Sequence, residues 1–310
     1  MQLLSKAPTI NFMGPRRIAV GASLAVIVIS LASLAYQGLE LGLDFTGGVL
    51  IEVDYPQAVE LESVRGTLAD EGYTSAVVQN FGSATDVLIR LPPAPEGVDF
   101  SQLGNEVLAD LQRENPGVTL RRTEFVGPQI GEDLAESAGL AMLFVLIMVF
   151  GYIMLRFRWK FAAGAISALV HDVIITFGFF SITRLEFDQT VVAAVLAVIG
   201  YSLNDTIVVY DRIRENFRAM RRGTAEAIVN TSINQTLSRT IITAATTLLV
   251  LIALLVLGGE TVADFSIALI VGIVVGTYSS IYVASAAALF LDVSPQDLMP
   301  PKREEVDDMP

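Results

Sequence analysis

The sequence predicts a polytopic α-helical membrane protein with six transmembrane helices and one extracytoplasmic α+β domain between helices one and two. Hydrophobic residues make up 53% of the 310 residues, whereas charged residues make up only 17%. Several apolar runs approach the roughly 20 residues that cross a bilayer as one helix. Residues 38–133 are the only sizeable polar region, with 17 acidic residues against five arginines. This pattern indicates one small domain outside the bilayer.

The composition also excludes several kinds of site. The chain has no cysteine, so it has neither a disulfide framework nor a thiolate metal site. His171 is its single histidine, which excludes a zinc site built from several histidines. We therefore expect no metal centre.

Residues 1–17 form a basic N-terminal segment that contains Lys6, Arg16 and Arg17. The apolar run at 18–36 follows directly and is predicted as the first transmembrane helix, with the N-terminus in the cytoplasm. A secretory signal is the alternative, because Ser33 and Ala35 stand at positions typical of a cleavage site. In both cases the residues that follow are exported.

The polar residues 37–133 are the predicted extracytoplasmic domain. Periodicity predicts strands at 49–55, 75–81, 86–91 and 118–125, and helices at 59–71 and 100–114. Each helix has one apolar stripe to bury on a sheet. The order βαββαβ is that of a ferredoxin-like sandwich, and nothing in it resembles a catalytic constellation.

Residues 134–291 contain the other five spans, predicted at 134–155, 161–182, 190–210, 239–257 and 265–290. Between the fourth and fifth span, residues 211–237 are predicted as an amphipathic segment on the cytoplasmic membrane surface, and residues 292–310 as a disordered cytoplasmic tail. Basic residues gather at one end of the spans, so the positive-inside rule places both termini in the cytoplasm. They include Arg156, Arg158, Lys160, Arg212, Arg214, Arg218, Arg221 and Arg222.

Two opposite charges stand within or beside predicted spans. Asp205 lies about five residues before the inner end of the fourth span, and Arg239 lies near the inner start of the fifth. An ionisable side chain at the centre of a span costs about 2.5 to 3.5 kcal/mol, which calls for a reason. Antiparallel spans bring both charges to similar depth, with Thr243 on the face of Arg239, so we expect them to pair. The hypothesis is that Asp205 binds a proton and Arg239 gates it; the alternative is an ion pair that only fixes helix packing.

His171 and Asp172 lie together in the middle of the third predicted span. A proton relay is one interpretation. Adjacent residues point about 100° apart on a helix, so the alternative is that each binds a different neighbouring helix. Asp172 is the stronger candidate of the two.

Glycine-bearing stretches join the polar domain to the membrane at both of its ends. Gly47 and Gly48 stand at the first junction, and Gly127 and Pro128 at the second. Paired hinges at these positions would let the domain swing as a body, whereas rigid turns are the alternative.

Several motifs together resemble the SecD/SecF protein-export family of the resistance-nodulation-division superfamily. They are GLDFTGG at 42–48, VGPQIG at 126–131, HDV at 171–173, GYSLNDTIVV at 200–209, DRIRE at 211–215 and SRT at 238–240. The resemblance implies a subunit, not an enzyme, that uses the proton gradient, without a cofactor, for late steps of protein export across the bacterial cytoplasmic membrane. It implies that Asp205 and Arg239 stand where the family has membrane charges important for proton coupling.

The implied partners are a SecD-like subunit, the SecY translocon, unfolded exported chains and membrane lipids, with no nucleic acid. Because members of the superfamily work as units of twelve spans, six spans indicate half of a machine whose other charges belong to the partner.

Three other functions are weighed against this one. Half of a proton-driven lipid or small-molecule exporter is the first, although one compact outer domain of about 95 residues leaves little room for larger porter modules. An intramembrane aspartyl protease using Asp172 and Asp205 is the second, and it lacks the Gly-x-Gly-Asp pattern that such proteases show. A scaffold with an inert ion pair is the third.

Overall fold

The computed structural model describes residues 8–93, 100–157, 159–220, 223–259 and 262–293. In this part of the chain, six helices are long and apolar enough to cross a membrane, which confirms the predicted number of spans. The spans are α1 (Arg16–Gln37), α5 (Pro128–Arg156), α6 (Trp159–Thr183), α7 (Gln189–Ala219), α8 (Ala225–Leu257) and a sixth over Ala263–Phe290.

The sixth span is not one continuous α-helix. It consists of α9 (Ala263–Ser279), a π-helical turn (Ser280–Ala284) and α10 (Ser285–Phe290). A π-helical turn holds an extra residue inside a helix, and such turns occur often at functional sites. The sequence gives no sign of this turn.

Contacts at the basic end of the bundle tie several helix ends together. Arg16 at the start of α1 forms an ion pair with Glu226 in the first turn of α8, at 2.7 Å. Arg156 at the end of α5 binds Asp211 of α7, at 2.8 Å. Residues 8–15 lie against α8, where the Asn230 side chain accepts a hydrogen bond from the Phe12 amide, at 2.7 Å. Residues 1–7 of the predicted N-terminal segment and 294–310 of the predicted tail lie outside the described residues.

The segment predicted as a separate surface helix at 211–237 has a different structure. Helix α7 continues to Ala219, α8 begins at Ala225, and the Thr224 side chain caps it by accepting a hydrogen bond from the Ala227 amide. Ile213 and Phe217 are buried against the start of α8 rather than facing lipid. The apolar stripe of this segment thus packs inside the protein, and the location of the segment at the cytoplasmic membrane surface stays a prediction.

Residues 48–126 fold into a four-stranded antiparallel sheet with two helices. The elements are β2 (Gly48–Asp54), α3 (Leu61–Asp70), β3 (Val77–Phe81), β4 (Ser83–Leu91), α4 (Phe100–Glu114) and β5 (Thr119–Val126). The strand order is β3-β4-β2-β5, with every neighbouring pair antiparallel. Val64 and Leu68 of α3 and Val107 and Leu111 of α4 fill one core with the inward residues of β2 and β4.

Tyr55, directly after β2, is buried in this core with 4% of its surface exposed. Burial, and secondarily the negative charge of Glu114, raises the pKa of Tyr55 from its ordinary value of 10.0 to about 12. A raised pKa favours the neutral phenol in the folded state, so its contribution is complete below pH 10 and is lost as the pH rises through about 12. Two pKa units correspond to about 2 to 3 kcal/mol.

We therefore expect the stability of the wild-type protein to fall between pH 10 and pH 12 and that of Tyr55→Phe to fall less. Urea unfolding of the full chain in detergent, followed by tyrosine fluorescence at several pH values, measures this. Tyr36→Phe is the control, since Tyr36 is 92% exposed. Parallel pH profiles for the wild type and Tyr55→Phe would contradict the expectation.

Candidate functional site

Asp205 lies on α7 and is held by hydroxyl groups from two other helices. Thr240 of α8 donates a hydrogen bond to Oδ1 at 2.5 Å, and Ser280 of the π-helical turn donates to Oδ2 at 2.5 Å. The side chain is half-buried. A carboxyl group contacted in this way joins α7, α8 and the sixth span, so a change in its protonation acts on three spans at once.

Arg239 does not form the expected ion pair with Asp205 within the described residues. The side chain is exposed, and its neighbour Thr240 is the residue of α8 that reaches the carboxylate. Adjacent residues on a helix point about 100° apart, so both cannot face Asp205 directly. Arg239 and Asp205 are therefore not direct partners in this conformation.

Thr243 and Thr247, one and two turns after Arg239, bind their own helix. Thr243 donates to the Arg239 carbonyl oxygen at 2.7 Å, and Thr247 donates to the Thr243 carbonyl oxygen at 2.9 Å. Their hydroxyl protons are occupied in this conformation. Thr243 is thus not placed in a hydrogen-bonded chain with Asp205.

Asp172 of α6 is the centre of a second polar cluster and is 1% exposed. Its Oδ1 lies 2.8 Å from Nδ1 of His171. Its Oδ2 accepts hydrogen bonds from Ser202 of α7 at 2.6 Å and from Ser279 of α9 at 2.8 Å. The alternative in which His171 and Asp172 bind separate helices thus differs from the structure, because the two side chains also bind each other.

Ser279 and Ser280 connect the two clusters. They are consecutive residues at the boundary of α9 and the π-helical turn, and one binds Asp172 while the other binds Asp205. The sequence analysis missed both roles, because small residues in a span are ordinarily explained by close helix packing. Their only signal is polarity: two adjacent hydroxyls opposite two membrane carboxyls.

The site offers no arrangement for a metal ion. Within the described residues, no group of three or more histidine, aspartate or glutamate side chains is close enough to bind one. An aspartyl-protease dyad needs two carboxyls that share one proton. Asp172 and Asp205 instead bind different serines, and no hydrogen bond joins them in the described part of the chain.

The two glycine-bearing junctions form one packed joint. Gly47 and Gly48 both have positive φ, 66° and 121°. A side chain at Gly47 would lie 3.0 Å from Cα of Pro128, the first residue of α5. Gly127 has an extended backbone and opens α5. In this conformation the four predicted hinge residues lie at the end of α2 and at the starts of β2 and α5.

Additional contacts hold this joint against the loop between α6 and α7. Strand β1 (Glu40–Leu41) pairs in parallel with β6 (Glu186–Phe187), and a short helix, α2 (Leu43–Thr46), follows β1. Arg90 of β4 forms an ion pair with Glu186. The α+β domain is thus bound to the bundle through a loop that the sequence analysis did not connect with it.

A family model described as "Protein export membrane protein SecD/SecF, C-terminal" matches residues 107–294, and one described as "SecD/SecF GG Motif" matches residues 32–59. The first match spans more than half of the chain. The chain belongs to the SecD/SecF family. Because this family consists of export membrane proteins, the predictions of the family and of a function that is not enzymatic are confirmed, and the chain is a multi-pass inner-membrane protein.

Curated relatives are similar over their full length. A protein translocase subunit SecF from Vibrio alginolyticus is 50% identical over 100% of this chain and 99% of its own. The SecF subunit from Pseudomonas aeruginosa is also 50% identical, over 98% of this chain and 99% of its own.

A crystal structure of SecDF from Thermus thermophilus, titled a translocon-associated membrane protein, aligns with a TM-score of 0.84 and 40% identity. The alignment covers 94% of this chain and 39% of that one, so this chain corresponds to well under half of the SecDF chain.

Proposed function

We propose that this chain is a subunit of the Sec preprotein translocase that couples the proton gradient to late steps of protein export. The names of its relatives support the export role. The observation that carries the coupling is Asp205, a carboxyl group in a membrane span that binds hydroxyls of two other spans. Protons are the driving ligand, and no cofactor is required.

In the proposed orientation the basic end of the bundle faces the cytoplasm, and both termini lie there. The ion pairs Arg16–Glu226 and Arg156–Asp211 support one common basic end. The α+β domain is then extracytoplasmic, and its sheet order agrees with a ferredoxin-like sandwich. This places the domain where exported chains emerge.

Protonation gives Asp205 a way to move helices. An ionised carboxylate accepts the hydroxyl hydrogen bonds of both Thr240 and Ser280. A protonated carboxyl has its own donor and loses acceptor strength, so these contacts between α7, α8 and the sixth span weaken. One charge moving across 100 mV supplies about 2.3 kcal/mol, comparable to the net value of one or two such bonds.

Arg239 marks the face for a SecD-like partner. Asn204, Arg239 and Thr246 are all exposed on α7 and α8 in the isolated chain. Arginine facing lipid at the centre of a span costs about 2.5 to 3.5 kcal/mol, whereas an acidic residue on a partner helix removes that cost. The part of the SecDF chain that the alignment leaves uncovered is large enough to supply such a partner helix. The SecY translocon, the exported chain and membrane lipids complete the proposed assembly.

The proposed motion is a swing of the α+β domain about Gly47, Gly48, Gly127 and Pro128. The observed packing of Gly47 against Pro128 represents one end of the swing. Breaking the contacts with the loop at 184–188 allows the other end. The positive φ values of Gly47 and Gly48 support turns that only glycine adopts without strain.

The test reconstitutes the full chain with its SecD-like subunit and the translocon in vesicles and measures export of a secretory precursor with and without a proton gradient. We expect the gradient to stimulate export and Arg239→Met to lower that stimulation about tenfold, which corresponds to about 1.4 kcal/mol. Because no forked hydrogen bond joins Arg239 to Asp205 in the described residues, Arg239→Lys, which keeps the positive charge, should retain most of the stimulation.

Arg214→Met is the matched control, since Arg214 lies on the last turns of α7 at the basic end of the bundle. Export that is indifferent to the gradient in the wild-type assembly would contradict the proposed function. Full stimulation in the Arg239→Met variant would show that Arg239 is inert and would contradict its proposed role. Gradient-driven export of a lipid instead of the precursor would favour the exporter.

A further inference from the structure

The serine pair gives each membrane carboxyl a hydroxyl partner with two possible acceptors. Ser279 Oγ lies 2.8 Å from Asp172 Oδ2 and 3.1 Å from the Gly276 carbonyl oxygen. Ser280 Oγ lies 2.5 Å from Asp205 Oδ2 and 3.0 Å from the Thr277 carbonyl oxygen. A serine hydroxyl has one proton, so it serves one acceptor at a time.

This choice responds to protonation. Each serine donates to its carboxyl while that carboxyl is ionised, and it turns back to its own helix when the carboxyl is protonated. Because the serines are consecutive and occupy the boundary of the π-helical turn, a shift at one of them changes the backbone that positions the other.

His171 gives the Asp172 cluster an outer end. The imidazole is 2% exposed and stacks on the ring of Tyr278, with ring centroids 6.2 Å apart. Nδ1 binds Asp172, whereas Nε2 has no hydrogen-bond partner among the described residues. A buried nitrogen without a hydrogen-bond partner is costly, so its presence calls for an explanation, and a functional role is one.

His171 also lines an apolar crevice of about 370 Å³ between α1, α6 and α9. Its other lining residues include Ser23 of α1, Ile175 of α6 and Tyr278 of α9. His171 thus stands between this crevice and the Asp172 carboxyl.

We propose that Asp172 and His171 form a second proton-binding site, coupled to Asp205 through Ser279 and Ser280, with His171 bordering the crevice at α1, α6 and α9. The inference rests on the proposed function, because it concerns the protons that the assembly uses. A proton is accepted at Nε2 of His171, and the proton on Nδ1 passes to Oδ1 of Asp172. Neutral imidazole, carboxylate and one proton thereby become neutral imidazole and neutral carboxylic acid.

Few other charged or titratable groups face this cluster in the described part of the chain. Tyr278 of α9 stacks on His171, and its hydroxyl donates to the Ala19 carbonyl oxygen of α1 at 2.9 Å. From α1 the contact is the neutral Ser23, whose hydroxyl donates to that of Tyr278. From α7, Ser202 donates to Asp172, and Asp205 is connected to the cluster through the serine pair.

The test is infrared difference spectroscopy of the carboxylic-acid band during a pH titration of the complete assembly in nanodiscs, combined with gradient-driven proton uptake into vesicles. We expect Asp172→Asn to remove one component of the band and to lower proton uptake about tenfold. His171→Gln should leave the band and lower uptake by a similar factor, since it removes the relay group only. A tenfold change in proton uptake corresponds to a change of about one pH unit in the proton concentration that fills the site.

Ser279→Ala tests the coupling and also covers the case in which Asp172→Asn fails to assemble. It should move the pH at which the Asp172 band appears by about one unit, because it removes one hydrogen bond to a charged group. Ser266→Ala is the matched control on the same helix, because Ser266 is fully buried and donates only to the Val262 carbonyl oxygen. We expect no change there.

The outcomes separate the two proposals. If Asp205→Asn abolishes gradient dependence while Asp172→Asn, His171→Gln and Ser279→Ala match the wild type in band and uptake, the second site is overturned and the proposed function stands. If Asp205→Asn retains full gradient dependence, the proposed function fails and this inference fails with it.

Discussion

Replacing Asp205 by asparagine is expected to abolish proton-gradient stimulation of export while leaving the protein folded. The asparagine carbonyl oxygen can still accept a hydrogen bond from Thr240 or Ser280, but the amide cannot bind a proton at physiological pH. One charge across 100 mV carries about 2.3 kcal/mol and each 1.4 kcal/mol is a factor of ten, so we expect at least about a tenfold loss.

The measurement is precursor export into reconstituted vesicles with and without the gradient. Asp211→Asn is the control, because Asp211 lies on the same helix but pairs with Arg156 at an exposed position. Thermal unfolding in detergent should show Asp205→Asn at least as stable as the wild type, since a half-buried carboxylate no longer has to be desolvated. A variant that keeps its gradient response would contradict Asp205 as the proton site.

Locking β1 to the loop between α6 and α7 is expected to stop export reversibly, because the proposed motion breaks the contacts with this loop. Glu40 of β1 and Glu186 of β6 are direct partners in a parallel pair. Neighbouring strands lie about 4.8 Å apart, which is within the range that a disulfide spans. The chain has no cysteine, so a Glu40→Cys, Glu186→Cys double variant can form only this intramolecular bridge.

Oxidation of the double variant should abolish gradient-stimulated export, and reduction should restore it to the level of the two single variants. The single variants are needed because each removes an ion pair, Glu40–Arg184 or Glu186–Arg90. Full export by the oxidised double variant would show that β1 stays paired with the loop during export. The proposed release of the loop at 184–188 would then be wrong.

The six spans were predictable because a helix that crosses a bilayer needs about 20 consecutive apolar residues. Such a run is visible in the local sequence alone. The elements of the α+β domain were predictable for a similar reason: helices such as α3 and α4 bury one periodic stripe on a sheet. Most predicted bounds lie within two or three residues of the observed ones.

The site was only half predictable. Asp205, Arg239, Asp172 and His171 stand out by their charge in apolar surroundings. Which side chains meet depends on the rotation of each helix, which the sequence of one helix does not determine. Thr240 rather than Arg239 therefore reaches Asp205, and Ser279 and Ser280 appear as partners only in three dimensions.

The amphipathic segment at 211–237 illustrates a second limit. An apolar stripe beside arginines has the same pattern whether it lies on lipid or packs against another helix. Asn216 resolves the case, since it is buried and donates to Ser232 of α8 at 2.8 Å. This contact shows that the apolar stripe packs against α8.

The π-helical turn rotates the side chains of α10 about the axis of the sixth span relative to those of α9. Helix α9 packs mainly on α7 and α8, whereas α10 packs mainly on α6. One added residue rotates everything after it by about 100° relative to a straight helix. The two halves of the span therefore contact different parts of the bundle, and the serine pair lies where the direction of the side chains changes. A movement at the serine pair would thus be transmitted to α7 and α8 on one side and to α6 on the other.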